Sequence, residues 1–118
     1  MTIEERIIKY LDAQLHVPVY AERPDNPDPE YILVERTGGG TRNHIRTATV
    51  AIKSHANSLF RAASLCETVE NAMESITSLV NISRCEHDSS YNFTDTDSKK
   101  YRYQAIFNLV YMDYEEGE

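Results

Sequence analysis

Ser58-Leu59-Phe60-Arg61-Ala62-Ala63-Ser64-Leu65-Cys66-Glu67-Thr68-Val69-Glu70-Asn71-Ala72-Met73 is the stretch on which the fold turns. Within residues 56–77, Leu59, Ala62, Ala63, Cys66, Val69, Ala72, Met73 and Ile76 recur at three- and four-residue spacing. On a helix that spacing gathers them into one continuous apolar stripe, with Arg61, Glu67, Glu70 and Glu74 on the outer side. The small side chains of Ala62, Ala63 and Ala72 let such a helix lie close against a sheet. A single stripe needs a single apolar surface to cover it, which predicts strands elsewhere in the chain.

Those strands are legible on both sides of the helix. Residues 43–53 alternate, with His44, Arg46, Ala48, Val50 and Ile52 on one face and Ile45, Thr47, Thr49, Ala51 and Lys53 on the other. Residues 79–87 and 100–112 read as two more strands, separated by the polar turn 95–100. In the last of them Tyr101, Tyr103, Ala105, Phe107, Leu109 and Tyr111 share a face, opposite Arg102, Gln104, Ile106, Asn108, Val110 and Met112. Several strand faces mix apolar and polar residues, so coverage by other chains is expected.

Toward the N-terminus, Ile3, Ile7, Ile8, Leu11 and Leu15 predict an amphipathic helix over 2–15, and Thr2 with Glu5 forms a capping-box pattern at its start. Val17–Tyr20 suits a short strand, which Pro18 confines to an edge or to a strand's first position. Residues 22–30 carry Pro24, Pro27 and Pro29 among acidic residues, a pattern that forbids helix and favours an extended loop. The β-rich run Tyr31–Thr37 follows, and Gly38, Gly39 and Gly40 then read as a break, a flexible hairpin connection. The loops 22–30 and 37–42 are expected to be the most mobile internal segments. The expected fold is therefore α+β: one domain over 1–118, with an antiparallel sheet of about four to five strands packed by a long central helix and an N-terminal helix. The acidic end 113–118 is expected to fray.

Composition narrows the functional classes. Hydrophobic residues make up 41% and charged residues 26% of the 118, the mix of a globular chain. The formal charge is −7, and the Lys and Arg residues are scattered with no basic stripe, which argues against a general nucleic-acid binder. There is no long apolar run to span a membrane, and the first residues lack a signal-peptide core. Cys66 sits on the helix's apolar face, so a buried, reduced thiol in a cytosol is expected.

Catalytic and cofactor signatures are missing. The glycine run continues as Thr41-Arg42-Asn43-His44-Ile45, without the Gly-Lys-Ser/Thr of a phosphate loop. The histidines His16, His44, His55 and His87 fall in different elements. Cys85 and His87 would share a strand face, yet no second pair completes a four-ligand zinc set. No Gly-x-Ser-x-Gly elbow or His-Glu-x-x-His occurs, although a triad built by tertiary geometry is not visible in sequence. The expectation is no catalytic, cofactor-binding or metal residues. The chain has eight Tyr and no Trp, and Tyr101, Tyr103 and Tyr111 suit either strand packing or an interface.

Taken in order, the elements resemble the small neck and tail-terminator proteins of long-tailed bacteriophages and prophages. The likeness is carried by Val34-Glu35-Arg36-Thr37-Gly38-Gly39-Gly40, by Ala48-Thr49-Val50-Ala51-Ile52 and by Ser58-Leu59-Phe60-Arg61-Ala62-Ala63. The loop with Pro24, Pro27 and Pro29 adds to it, while His55 stands where the family often has an aromatic. The resemblance implies a non-enzymatic ring, typically a hexamer, that caps the tail tube, stops its growth and joins it to the head. Its implied partners are copies of itself, the tail tube protein and a head-side connector or stopper; DNA passes the lumen without specific binding. The implied location is the virion neck, after synthesis in the bacterial host cytoplasm. Interface roles fall by segment on 22–30, 37–43 and 43–53, so Pro24, Pro27, Pro29, Gly38, Gly39, Gly40, Arg42 and Arg46 are the candidate interaction residues. Other readings are a different neck component such as a stopper, a small cytosolic α+β enzyme, or a ligand-binding domain.

Overall fold

The computed structural model describes residues 1–112; the frayed end expected at 113–118 lies outside the described residues. Helix α1 spans Ile3–Gln14. Thr2 caps it reciprocally: the Glu5 amide donates to Thr2 Oγ1 at 3.1 Å and the Thr2 amide donates to Glu5 Oε1 at 2.8 Å. These two bonds hold the Glu5 carboxyl below its usual range. Ile3, Ile7, Tyr10 and Leu11 form the buried stripe, and the Tyr10 hydroxyl donates to the Ala72 carbonyl at 2.6 Å, pinning α1 to the second helix.

Helix α2 spans Leu59–Met73 and is capped by Ser58, whose hydroxyl accepts from the Arg61 amide. Its buried side chains are Ala62, Leu65, Cys66, Val69 and Met73; Leu59, expected on the stripe, is 41% exposed, and Leu65 takes a core place instead. The helix stops short of residue 77, and a separate 3-10 turn at Ile76–Ser78 buries Ile76.

The sheet has five strands in the order β1-β2-β3-β5-β4: β1 Val19–Tyr20, β2 Tyr31–Arg42, β3 Ile45–Ala56, β4 Ile82–Asn92 and β5 Tyr101–Met112. The β2–β3, β3–β5 and β4–β5 pairs are antiparallel, whereas the edge strand β1 lies parallel to β2. A parallel neighbour needs a return crossover, which is what the Pro-rich segment between Tyr20 and Tyr31 supplies. Alternation along β3 and β5 holds as expected. Val50 pairs with Phe107 and Ile52 with Ala105, and these side chains form the core with α1 and α2. Both helices lie on this one face.

Three boundaries depart from the sequence reading. The triglycine run does not break the strand; Gly38, Gly39 and Gly40 stay in β2, paired with Thr49, Ala48 and Thr47. The reversal is made by Asn43 and His44, both at positive φ (53° and 67°), so His44 belongs to the turn and β3 starts at Ile45. Asparagine and histidine tolerate that region better than most residues, and the tight turn needs it. Strand β4 starts later than residue 79 because the 3-10 turn and Asn81 at φ 69° intervene, and it runs on to Asn92.

Candidate interaction surfaces

The first surface is the outer half of the β2–β3 hairpin. Between Arg36 and Gly38 the register shifts, leaving Thr37 as the extra residue of a β-bulge. The Arg36 Nε donates to the Gly38 carbonyl at 3.1 Å, and the Thr37 hydroxyl to the Thr49 carbonyl at 3.3 Å. One extra residue inverts the facing of everything beyond it. The turn at Asn43 and His44 pairs Arg42 with Ile45 on the sheet's open face, while Arg46 shares the helix-side face of β3 with Ala48 and Val50. There Arg46 lines a cleft with Glu4, Glu5, Arg36 and Tyr111. Both candidate arginines thus lie beside the glycine run, but on opposite faces of the hairpin, with Arg42 exposed and Arg46 half-buried.

Among the described residues only one face of the sheet carries helices, and the other is left without them. On it Ile45 is 47% and Met112 49% exposed, and the two are register partners. Polar pairs share this face: the Thr49 hydroxyl donates to Asn108 Oδ1 at 2.8 Å, and Lys53 meets Glu35 at 3.0 Å. Two strand edges are also open. Strand β1 pairs only with Ile32 and Leu33, so no described strand pairs with the outer edge of β2 from Val34 to Arg42, and β4 bounds the opposite side. Strand β4 carries two bulges and the charged residues Arg84, Glu86 and Asp88, devices that discourage indiscriminate edge pairing. Of the tyrosines with two readings, Tyr111 is core, 3% exposed beneath the Arg6 guanidinium, and Tyr103 packs half-buried against the core.

A second surface lies at the opposite end of the sheet. Pro27, Pro29, Arg23 and Asp28 of the Pro-rich segment face Lys99, Lys100 and Tyr101 of the β4–β5 connection across a cleft of about 270 Å³. Pro24 is half-buried beside it in sequence. The floor is Tyr31 and His55, whose rings stack at 4.4 Å and 9°. His55 is 8% exposed, and its Nε2 is buried without a hydrogen-bond partner. Burial first, then the positive charges of Arg102, Lys53, Arg23 and Lys100, push the imidazole pKa down to about 4, so His55 is neutral at pH 7. This gathering of cations was not legible in sequence, where Arg23, Lys53, Lys99, Lys100 and Arg102 are scattered.

The Pro-rich segment is tied down at its end. Glu30 receives two hydrogen bonds from the Arg61 guanidinium, at 2.8 and 2.9 Å, and this pairing holds the Glu30 carboxyl below its usual range. Arg61 stands in the first turn of α2, so the fork fixes loop to helix. Arg61→Met is expected to leave the melting temperature nearly unchanged, because the pair is solvent-exposed. Amide exchange across residues 22–30 should accelerate in the same variant; unchanged exchange there would show that the fork does not restrain the loop.

A third cluster joins α2 to the edge strand. The Ser90 hydroxyl donates to Glu70 Oε2 at 2.5 Å and lies 2.7 Å from His87 Nε2, while Glu70 Oε2 is also 3.8 Å from that same nitrogen. Serine, histidine and carboxylate thus meet, but not as a hydrolytic triad. In a triad the carboxylate holds the imidazole nitrogen remote from the serine, and here both partners sit at Nε2. The chain His87 to Ser90 to Glu70 reads as a clamp between helix and strand. Cys85 and His87 do share the inner face, paired with Leu109 and Phe107. Among the described residues no group of three or more His, Cys, Asp or Glu side chains could hold a metal ion. Burial raises the thiols of Cys66 and Cys85 to about 11, far from reactive thiolates.

An apolar groove of about 530 Å³ runs between α1 and the 3-10 turn, lined by Tyr10, Ala13, Leu79 and the 71%-exposed Val80. No described helix is long and apolar enough to cross a membrane. The chain matches no protein-family model, and no curated protein matches it.

Proposed function

We propose that this chain is a non-enzymatic structural protein of a bacteriophage or prophage that assembles with copies of itself into a ring, capping the tail tube and joining it to the head. The observation that carries the reading is the one-sided sheet: two helices cover one face, while the other face, two strand edges and a protruding hairpin remain available. A chain this short buries a limited share of its surface alone, and assembly covers the remainder. The resemblance carried by residues 34–40, 48–52 and 58–63 supplies the particular assembly, a hexameric ring between the tube protein and a head-side connector or stopper. A net charge of −7 suits a lumen through which DNA slides without being gripped.

The test adds the full chain to purified tail tubes and locates it by electron microscopy, alongside deletion of its gene. The expected result is a ring at one tube end, with overlong tails and unjoined heads in the deletion. A chain that never reaches a tube end, with normal tails and joining in its absence, overturns the reading. A ligand-binding role rests on the apolar groove at Tyr10 and Leu79, and saturable uptake of an apolar dye lost in Leu79→Asp would favour it.

A further inference from the structure

We propose that the acidic segment Asp113-Tyr114-Glu115-Glu116-Gly117-Glu118 of one copy docks in the basic cleft floored by His55 of the next copy. The contact rests on the self-assembly reading above and specifies one of its joints.

The cleft is built for an anion. Arg23, Lys99 and Lys100 line it, and none of the three forms a salt bridge with a described residue. Among the described residues Asp28 is the one carboxylate on its lining. Lys53 and Arg102 add positive charge nearby, although Lys53 is paired with Glu35 and Arg102 stacks on Phe93 at 4.7 Å. In a protein of charge −7 this concentration of cations stands apart. On the floor, the buried Nε2 of His55 lacks a partner, a state that costs free energy until an acceptor or donor arrives. A carboxylate bound in the cleft offsets the mutual repulsion of the cations around His55.

Geometry identifies whose carboxylates these are. Segment 113–118 brings four of them, Asp113, Glu115, Glu116 and Glu118, directly after Met112. Met112 pairs with Ile45 at the hairpin end of the sheet, whereas the cleft lies where Tyr101 pairs with Ala56. The strand between those two levels spans roughly 37 Å at the antiparallel rise. Six residues reach at most about 21 Å when fully extended. The segment therefore falls short of the cleft of its own chain and meets the cleft of a neighbour. Such a head-to-tail contact joins unlike surfaces, and contacts of that kind close into rings or run on as filaments.

The test is fluorescence anisotropy of a labelled peptide with the sequence of residues 113–118, titrated with dilute full chain, with the His55 ring followed by NMR. The expected result is saturable binding that weakens as salt rises, with a shift of the His55 resonances. Arg23→Gln with Lys100→Gln should weaken binding at least about tenfold, while Lys9→Gln, outside the cleft, leaves it unchanged. A peptide with Gln and Asn in place of its acids should not bind. No binding, or binding unaffected by the cleft changes, overturns the proposal. Equal displacement of the peptide by inorganic phosphate or a short single-stranded DNA at matched charge also overturns it, because the cleft is then a general anion site. Failure here with the chain still found at tube ends removes only this joint; peptide binding without tube localisation removes the tail reading and leaves the joint.

Discussion

Gly39→Ala should destabilise the folded chain by about 2–3 kcal/mol, whereas Gly40→Ala should leave it unchanged or more stable by less than about 1 kcal/mol. The two residues are adjacent in the same glycine run, and composition alone treats them alike. Gly39 sits at φ 140°, a conformation that side chains rarely adopt, directly beyond the Thr37 bulge. A β-carbon there would press on the Thr47 carbonyl oxygen, and would lie 2.8 Å from an Arg36 guanidinium nitrogen and 2.9 Å from the Ala48 α-carbon. The backbone atoms of β3 cannot give way without breaking the ladder. A β-carbon on Gly40 meets nothing within 4 Å. Urea unfolding of both variants decides the matter. Equal stability losses would mean that the bulge does not depend on Gly39. If the hairpin is an assembly element, Gly39→Ala should also reduce ring formation more than its stability loss explains, since it re-aims the tip carrying Arg42.

A comparable effect is expected from pH. His55 stays neutral in the fold with a pKa near 4, whereas in the unfolded chain it returns to its ordinary value of 6.5. Above 6.5 both states are neutral and His55 contributes no pH dependence. Between 6.5 and 4 the unfolded chain binds a proton that the native chain refuses, so stability falls as the pH falls. The loss amounts to about 2 kcal/mol between pH 7 and pH 5 and levels off at about 3 kcal/mol below pH 4. The carboxyls of Glu5, Glu30 and Asp95, held low by their hydrogen bonds, act in the same sense but in a lower window: they favour the fold above their ordinary range and lose that contribution only as the pH falls below it. The window from pH 7 to 5 therefore reports mainly on His55. Unfolding free energies measured across it should lose most of their slope in His55→Phe, which keeps a ring against Tyr31 and removes the titration. A slope that survives the substitution would place the titrating group elsewhere.

The candidate residues divide according to how local their signals are. Pro27 and Pro29 were legible as loop residues, and the structure sets them on a cleft wall. Arg42 and Arg46 were legible as cations near a glycine run, but their separation onto opposite faces follows from the two-residue turn at Asn43 and His44, which pairs Arg42 with Ile45 and so sets it opposite Arg46. The Ser90, His87 and Glu70 clamp joins α2 to β4 across residues whose spacing says nothing about contact. The apolar stripe of residues 56–77 correctly demanded a sheet, yet its ends were overrun because a helix frays or hands over to a 3-10 turn by local backbone preference.

By itself the sequence determined the elements whose signals repeat at short range. These are the capped helix at Thr2, the stripe from Ala62 to Met73, the alternation along Val50 and Phe107, and the prolines that exclude helix from 22–30. From them followed the α+β class, because a striped helix and alternating strands bury each other. Only the tertiary structure decided the strand order, the parallel edge strand, the one-residue shift at Thr37 and the meeting of Arg23, Lys53, Lys100 and Arg102 around His55. The physical reason is range. Helix caps and side-chain periodicity act over a few residues, whereas register and charge clustering arise between segments far apart in sequence, where one inserted residue exchanges the two faces of a strand.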